Sequence, residues 1–290
     1  MNRKNVMTMT MFIQLLFKFK LDHDTEDFRD GYEEMMDLVR DAGYDAVDVT
    51  SWEVNILGID AVKEILGERN LGVSSLIYAD QFAAMDDEGF DTRIEQAKRG
   101  ADMAETLGTD IFMLVPQAQK EISQYTAEEI RARMIAHWIP ITAYAKEKGL
   151  HVVAEDTPDL KLHFCRAADV KEVLDAVPGL ELVYDSANMI LVGEDPVEYL
   201  KEFAGRIAYV HLKDFRIVPK GTMLAEYAED GTAMTTAPTG EGMVDLRQVI
   251  ETLKAIGYQG EMTIEFRVDD DKEYLHSLIR SREYIEQTKE

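Results

Sequence analysis

Cysteine occurs once in this chain, at Cys165, so no intrachain disulfide can form. Its usage is that of a protein in a reducing cytosol, and a cytoplasmic location is expected. In the apolar setting Leu162-His163-Phe164-Cys165, the thiol reads as a small packed residue rather than a nucleophile. Positive charge is also scarce. The 31 Lys and Arg face 56 Asp and Glu, for a formal charge of −25. Nucleic acid and anionic membranes both need a positive face, so neither is an expected partner. No apolar run approaches the ~18 residues that cross a bilayer. The moderately apolar Met7 to Phe17 is broken by Thr8, Thr10 and Gln14 and has no small-residue cleavage site. It reads as a first strand, Met9 to Leu16, instead of a leader. Neither Gly-x-Gly-x-x-Gly nor Gly-x-x-x-x-Gly-Lys follows that strand, so dinucleotide and nucleotide folds have no fingerprint.

What the chain does contain is a regular alternation. Short Val- and Ile-rich runs read as strands at Ala46–Val49, Val73–Tyr78, Asp110–Val115, Leu150–Glu155, Leu180–Asp185, Ile207–His211 and Gly260–Glu265. Between them lie helical periodicities at 27–42, 59–66, 90–107, 126–148, 167–176, 195 onward, 244–256 and 272–287. Thr126-Ala127-Glu128-Glu129 fits a capping box, and Asp195-Pro196 an N-cap followed by proline at the first helical position. Residues 217–239 read as an irregular stretch, long enough to be a binding loop or cover. Eight strands alternating with eight helices imply parallel strands joined by right-handed crossovers. At 290 residues the expected architecture is an α/β fold, one (β/α)₈ TIM-barrel domain over 1–290.

Four of the later strands end in a side chain able to bind a metal: Glu155, Asp185, His211 and Glu265. Strand ends of a parallel barrel converge on one face. Three carboxylates and one imidazole there form a cup for a hard divalent ion. Manganese is the first expectation, with magnesium, cobalt or zinc as alternatives. Taken singly, Asp185 in Asp185-Ser186-Ala187-Asn188 serves equally well as a helix cap, and His211 as a hydrogen-bonded core histidine.

The motifs Ala154-Glu155-Asp156-Thr157-Pro158, Tyr184-Asp185-Ser186-Ala187-Asn188, His211-Leu212-Lys213-Asp214, Gly240-Glu241-Gly242-Met243-Val244-Asp245 and Leu253 to Glu265 together resemble the xylose-isomerase-like TIM-barrel family of sugar (phosphate) isomerases and epimerases. They cover roughly the last half of the chain. The resemblance implies that Glu155, Asp185, His211 and Glu265 hold the metal. It also implies that Glu155 and Glu265 act as the acid/base pair on a small sugar or polyol, phosphorylated or not, with proton transfer through an enediolate that the ion stabilises. Dimers or tetramers are expected by the same analogy.

One position departs from the pattern. Many of the family's epimerases carry a histidine three residues after the metal aspartate, where this chain has Asn188, which cannot carry a proton at neutral pH. A lyase of the same family, such as an inosose or dehydroshikimate dehydratase or a C-glycoside-cleaving subunit, is therefore the alternative. A non-catalytic sugar-binding barrel is the third reading. Asn188, Lys213, Arg216, Trp52 and Tyr78 are the expected substrate contacts, with Phe82 as loop packing.

Overall fold

A computed structural model of the chain describes residues 5–7, 25–80, 89–117, 122–267 and 271–289. In chain order the elements are β1 (Asn5–Met7), α1 (Thr25–Asp41), β2 (Ala46–Thr50), α2 (Ser51–Leu57), α3 (Ile59–Glu68), β3 (Gly72–Asp80), α4 (Phe90–Leu107) and β4 (Ile111–Pro116). They continue with α5 (Ala127–Glu147), β5 (His151–Glu155), α6 (Ala167–Ala176), β6 (Leu180–Asp185), α7 (Pro196–Glu202) and β7 (Ile207–Ile217). The last are β8 (Glu226–Tyr227), β9 (Ala233–Ala237), α8 (Leu246–Ala255), β10 (Met262–Glu265) and α9 (Asp271–Lys289). Met9 to Leu16 and Phe82 fall outside the described residues.

The strands from β1 to β7 pair in parallel with their sequence neighbours. β10 closes the ring by pairing in parallel with both β7 and β1. Period-2 alternation then assigns every strand residue to one of two sides. Val152 and Ala154, Leu182 and Tyr184, Val210 and Leu212, and Ile264 belong to the large core between ring and helices. A second, smaller cluster of Ile77, Ile111, Met113, Val115, Val153, Val183 and Tyr209 fills the barrel itself. Glu155, Asp185, His211, Lys213 and Glu265 each sit two residues beyond an inward-facing residue, or in register with one, so they share the barrel interior. Burying apolar area at ~25 cal/mol per Å² on both sides of the sheet drives this arrangement.

Two elements were absent from the sequence expectation. The first is α2, capped by Thr50, whose hydroxyl accepts from Glu53 N while the Glu53 carboxylate accepts from Thr50 N. The second corrects the irregular reading of residues 217–239. β7 runs on past His211 to Ile217 and pairs antiparallel with β9, which pairs with β8. Asp230-Gly231 makes the reversal. Gly231 adopts φ 79°, its N–H donates to Ala228 O at 2.8 Å, and Ala228 N donates to Thr232 O at 2.9 Å. Asp-Gly between strand-forming residues is a strong hairpin signal.

The Gly240 to Asp245 motif also has a structural role. Asp214 accepts the N–H groups of Gly240, Gly242 and Val244 at 3.2, 2.8 and 3.0 Å. A Cβ on Gly242 would lie 2.2 Å from Asp214 Oδ1, so only glycine fits there.

Candidate metal centre

The four expected ligands meet. Each of Glu155, Asp185, His211 and Glu265 is buried, and one ligand atom from each lies within 4.8 Å of all the others. His211 Nδ1 is 2.6 Å from Glu155 Oε1 and 3.6 Å from Glu265 Oε2. Strand register sets this convergence: Asp185 is opposite His211, and Glu265 opposite Lys213.

Two carboxylate oxygens, Asp185 Oδ2 and Glu265 Oε2, are fully buried with no hydrogen-bond partner among the described residues. Leaving such atoms unpaired is costly. A cation beside them removes the cost, so the donor set fits a divalent ion held by oxygen and imidazole nitrogen. Asp185 Oδ1 is meanwhile occupied, accepting Ala187 N at 2.8 Å and Asn188 N at 2.7 Å. The aspartate is thus a turn cap through one oxygen and free for coordination through the other.

The charges are strongly coupled. Burial pushes the Asp185 carboxyl up to about 7, with Lys213 opposing and Glu265 and Glu155 adding to the rise. Burial would raise Glu265 too, but Lys213 and His211 outweigh it and hold that carboxyl below its ordinary value. Burial disfavours charge on Lys213 and on His211. The surrounding carboxylates, Glu265 first for Lys213 and Glu155 first for His211, nevertheless raise both well above their usual values.

Lys213 is central to the cup. Its Nζ contacts Glu265 Oε1 at 3.1 Å and Asn188 Oδ1 at 3.0 Å. Asn188 Nδ2 in turn donates to Asp156 O at 2.9 Å. Both residues expected to contact substrate here are therefore buried beside the four ligands. The others are not brought in. Arg216 is exposed on the antiparallel extension of β7, paired through its backbone with Thr235. Trp52, 44 % exposed, and Tyr78 share a separate cavity of about 330 Å³ with Asn55, Arg93 and Arg99, lined by none of the four. A larger cavity of about 740 Å³ opens at the opposite end of the barrel, where the strands begin (Thr109, His151, Ile207). The four-ligand cluster is not there, and barrel enzymes work at the strand C-termini.

Two buried acids and one half-buried acid near the cup add to the expected set. Asp48, inside β2, accepts Ser74 Oγ, Ser75 Oγ and Tyr209 OH through Oδ1 at 2.7, 2.8 and 2.6 Å. Its Oδ2 is 3.3 Å from His211 Nε2. His211 is thus held between carboxylates at both nitrogens, Glu155 at Nδ1 and Asp48 at Nε2; were a metal to displace the Nδ1 proton, Asp48 would keep Nε2–H and orient the ring. A charged residue in the middle of a buried strand was the available signal. Asp156 is buried with Oδ1 unpaired, and burial followed by the Asp185 and Glu155 charges raises its carboxyl. The half-buried one is Glu226 on β8. Cys165 is buried, its thiol raised by burial and donating to Asn188 O at 3.3 Å, as a packed residue would be.

With this geometry in hand, comparisons with known proteins place the chain. Inosose dehydratase of Geobacillus thermodenitrificans is 28% identical over 157 residues, 50% of each chain. The chain thus aligns with about half the length of the curated relatives it matches. Among solved structures, D-allulose 3-epimerase from Methylomonas sp. superposes with TM-score 0.70 at 18% identity, covering 99% of this chain and 98% of that one. A xylose isomerase-like TIM-barrel protein from Mycobacterium smegmatis, in complex with magnesium, gives 0.66 at 18% identity over 90% and 88%. At such identities the solved structures establish the fold. The family model for the xylose isomerase-like TIM barrel matches residues 36–286, nearly the whole described barrel, and the chain belongs to that family.

Proposed function

We propose that the chain is a divalent-metal-dependent enzyme that removes the proton beside the carbonyl of a small polyhydroxylated ketone and expels a neighbouring hydroxyl as water. Glu155, Asp185, His211 and Glu265 hold the ion, with manganese the first choice for this oxygen-rich set. When bound, the ion supplies positive charge to the substrate's carbonyl and adjacent hydroxyl oxygens.

The observation that carries the reading is the Lys213 ammonium bonded to Glu265 inside the cup. Single-step epimerisation needs one glutamate as carboxylate to take the proton and the other as acid to return it on the opposite face. Glu265 is held ionised by Lys213 and so is poorly disposed to donate. Asn188, hydrogen-bonded to the same Lys213, has no proton to give at neutral pH. Glu155 takes the α-proton, and Lys213 faces the negative charge that develops on the substrate. Inosose, named in the curated relatives, is a ketone of this class.

Epimerisation is the second reading, favoured by the presence of both glutamates in one cup. One experiment separates them. The manganese-loaded protein is incubated with an inosose in deuterated water and the products are weighed. Loss of one water and a new enone absorbance are expected, and Glu155→Gln should slow this by ~100-fold or more. A product of unchanged mass apart from deuterium would establish epimerisation. Elemental analysis beside it should find one equivalent of metal, absent from Asp185→Ala and His211→Ala.

A further inference from the structure

The β8–β9 hairpin extends β7 beyond Lys213, at the strand ends that carry the cup, and is tied down on both sides. Toward β10, Arg267 N donates to Thr236 Oγ1 at 2.9 Å and Arg267 Nη2 to Leu224 O at 2.7 Å. Toward β6, Glu229 N donates to Leu191 O at 2.9 Å, and Arg166 pairs with Glu229 while also donating to Val192 O at 3.2 Å. Between these anchors stands Glu226. The residue is half-buried, yet its Oε2 is inaccessible and has no hydrogen-bond partner among the described residues. Its carboxyl interacts electrostatically with Lys213, Glu265, Arg267 and Glu155, and Lys213 feels it in turn, so it is a charge neighbour of the cup. None of the four metal-binding positions requires it. A buried carboxyl oxygen with no hydrogen-bond partner among the described residues, next to a charged cup, is suited to accept a substrate hydroxyl as that partner.

We infer that Glu226, carried on the hairpin, is a catalytic acid that hydrogen-bonds the departing hydroxyl and protonates it as water. The inference rests on the elimination reading above. Glu155 takes the α-proton, and the C–H electron pair becomes the new carbon–carbon double bond. The β carbon–oxygen bond breaks with its pair on oxygen, which receives the Glu226 proton. Glu226 is left as carboxylate and recovers a proton from solvent as Glu155 releases one. The balance is substrate to unsaturated ketone plus one water, with no net oxidation. Burial raises the Glu226 carboxyl, Lys213 and Arg267 oppose, and Glu265 and Glu155 add to the rise, which suits a group that arrives protonated.

The test compares wild type and Glu226→Gln, both manganese-loaded, on an inosose and on its analogue with fluorine in place of the leaving hydroxyl. Metal content is measured alongside. Fluoride leaves without full protonation, so an acid's contribution disappears with it. Glu226→Gln should retain its metal and its α-hydrogen exchange with deuterated water, lose ~100-fold or more in water elimination, and eliminate fluoride at nearly the wild-type rate. Equal losses on both substrates, or no loss on either, would overturn the acid role. Wild type that exchanges the α-hydrogen but yields only an isomer would overturn the elimination reading and Glu226's part in it together. An inert wild type with full metal content and no binding of the ketone would do the same, and would leave the metal site standing.

Discussion

At Asp185, Oδ1 accepts two backbone N–H groups, while Oδ2 is buried with no hydrogen-bond donor among the described residues and lies among the other members of the cup. This has a measurable consequence for the metal-free protein. Burial raises its folded value from 3.8 to about 7, so between those values the folded state holds a proton that the unfolded chain has released. Stability contributed by this group is therefore present at the low end of the window and is lost as pH rises through it. Metal-stripped protein should unfold at lower denaturant concentration at about pH 7.5 than at about pH 5.5, and Asp185→Asn should flatten that slope. An identical slope in the variant would assign the pH dependence to other groups. Manganese should restore stability at the upper pH by binding the folded state alone.

The β8–β9 hairpin is the element that distinguishes this mouth from a plain barrel rim. Its tie to β10 runs largely through Arg267, which donates to Leu224 O and, at 3.4 Å, to Thr235 Oγ1. Hydrogen bonds from a charged donor are worth ~1.5–3 kcal/mol. Arg267→Ala should therefore speed amide exchange in residues 226–237 by roughly tenfold or more, while the barrel strands exchange as before. Exchange measured by mass spectrometry checks this, and an unchanged hairpin would place its anchoring in β7 and the Arg166–Glu229 side instead. The hairpin was legible in principle. Asp230-Gly231 announces a tight reversal, and Thr50-Ser51-Trp52-Glu53 has the same capping spacing as Thr126 to Glu129. Hydrophobic periodicity reveals neither, because each flanks only short elements, a two-residue strand and a seven-residue helix, which have too few residues to display a period.

Across the whole molecule, a net charge of −25 sets a self-repulsion that the fold must overcome. Local pairs answer part of it: Arg69 meets Asp37 at 3.0 Å, and Arg131 meets both Asp169 and Glu172 at 2.8 Å. With 31 cations against 56 carboxylates most of the surface excess remains unpaired. Raising sodium chloride from about 0.02 to about 0.5 M shortens the Debye length severalfold, so the melting temperature should rise. A fall would mean that the ion pairs contribute more to stability than the repulsion removes.

The sequence by itself determined the barrel and the four side chains that meet inside it. Strand alternation needs only local periodicity, and the late strands carrying Glu155, Asp185, His211 and Glu265 sort those side chains to one face without knowledge of any contact. What only the tertiary structure decided were relations between distant strands. Asp48 supports His211 from 163 positions away, a pairing set by barrel closure and strand register rather than by any motif. Lys213 was visible as a cation near the site, but its bonds to Glu265 and Asn188, which make the two glutamates unequal, depend on three strand ends meeting in space. Glu226 had no sequence mark at all, because a carboxylate on a short exposed strand looks like any other in so acidic a chain. Local patterns encode which side of its own strand a residue occupies. Partner, distance and charge balance follow only when the ring closes and water is excluded from it.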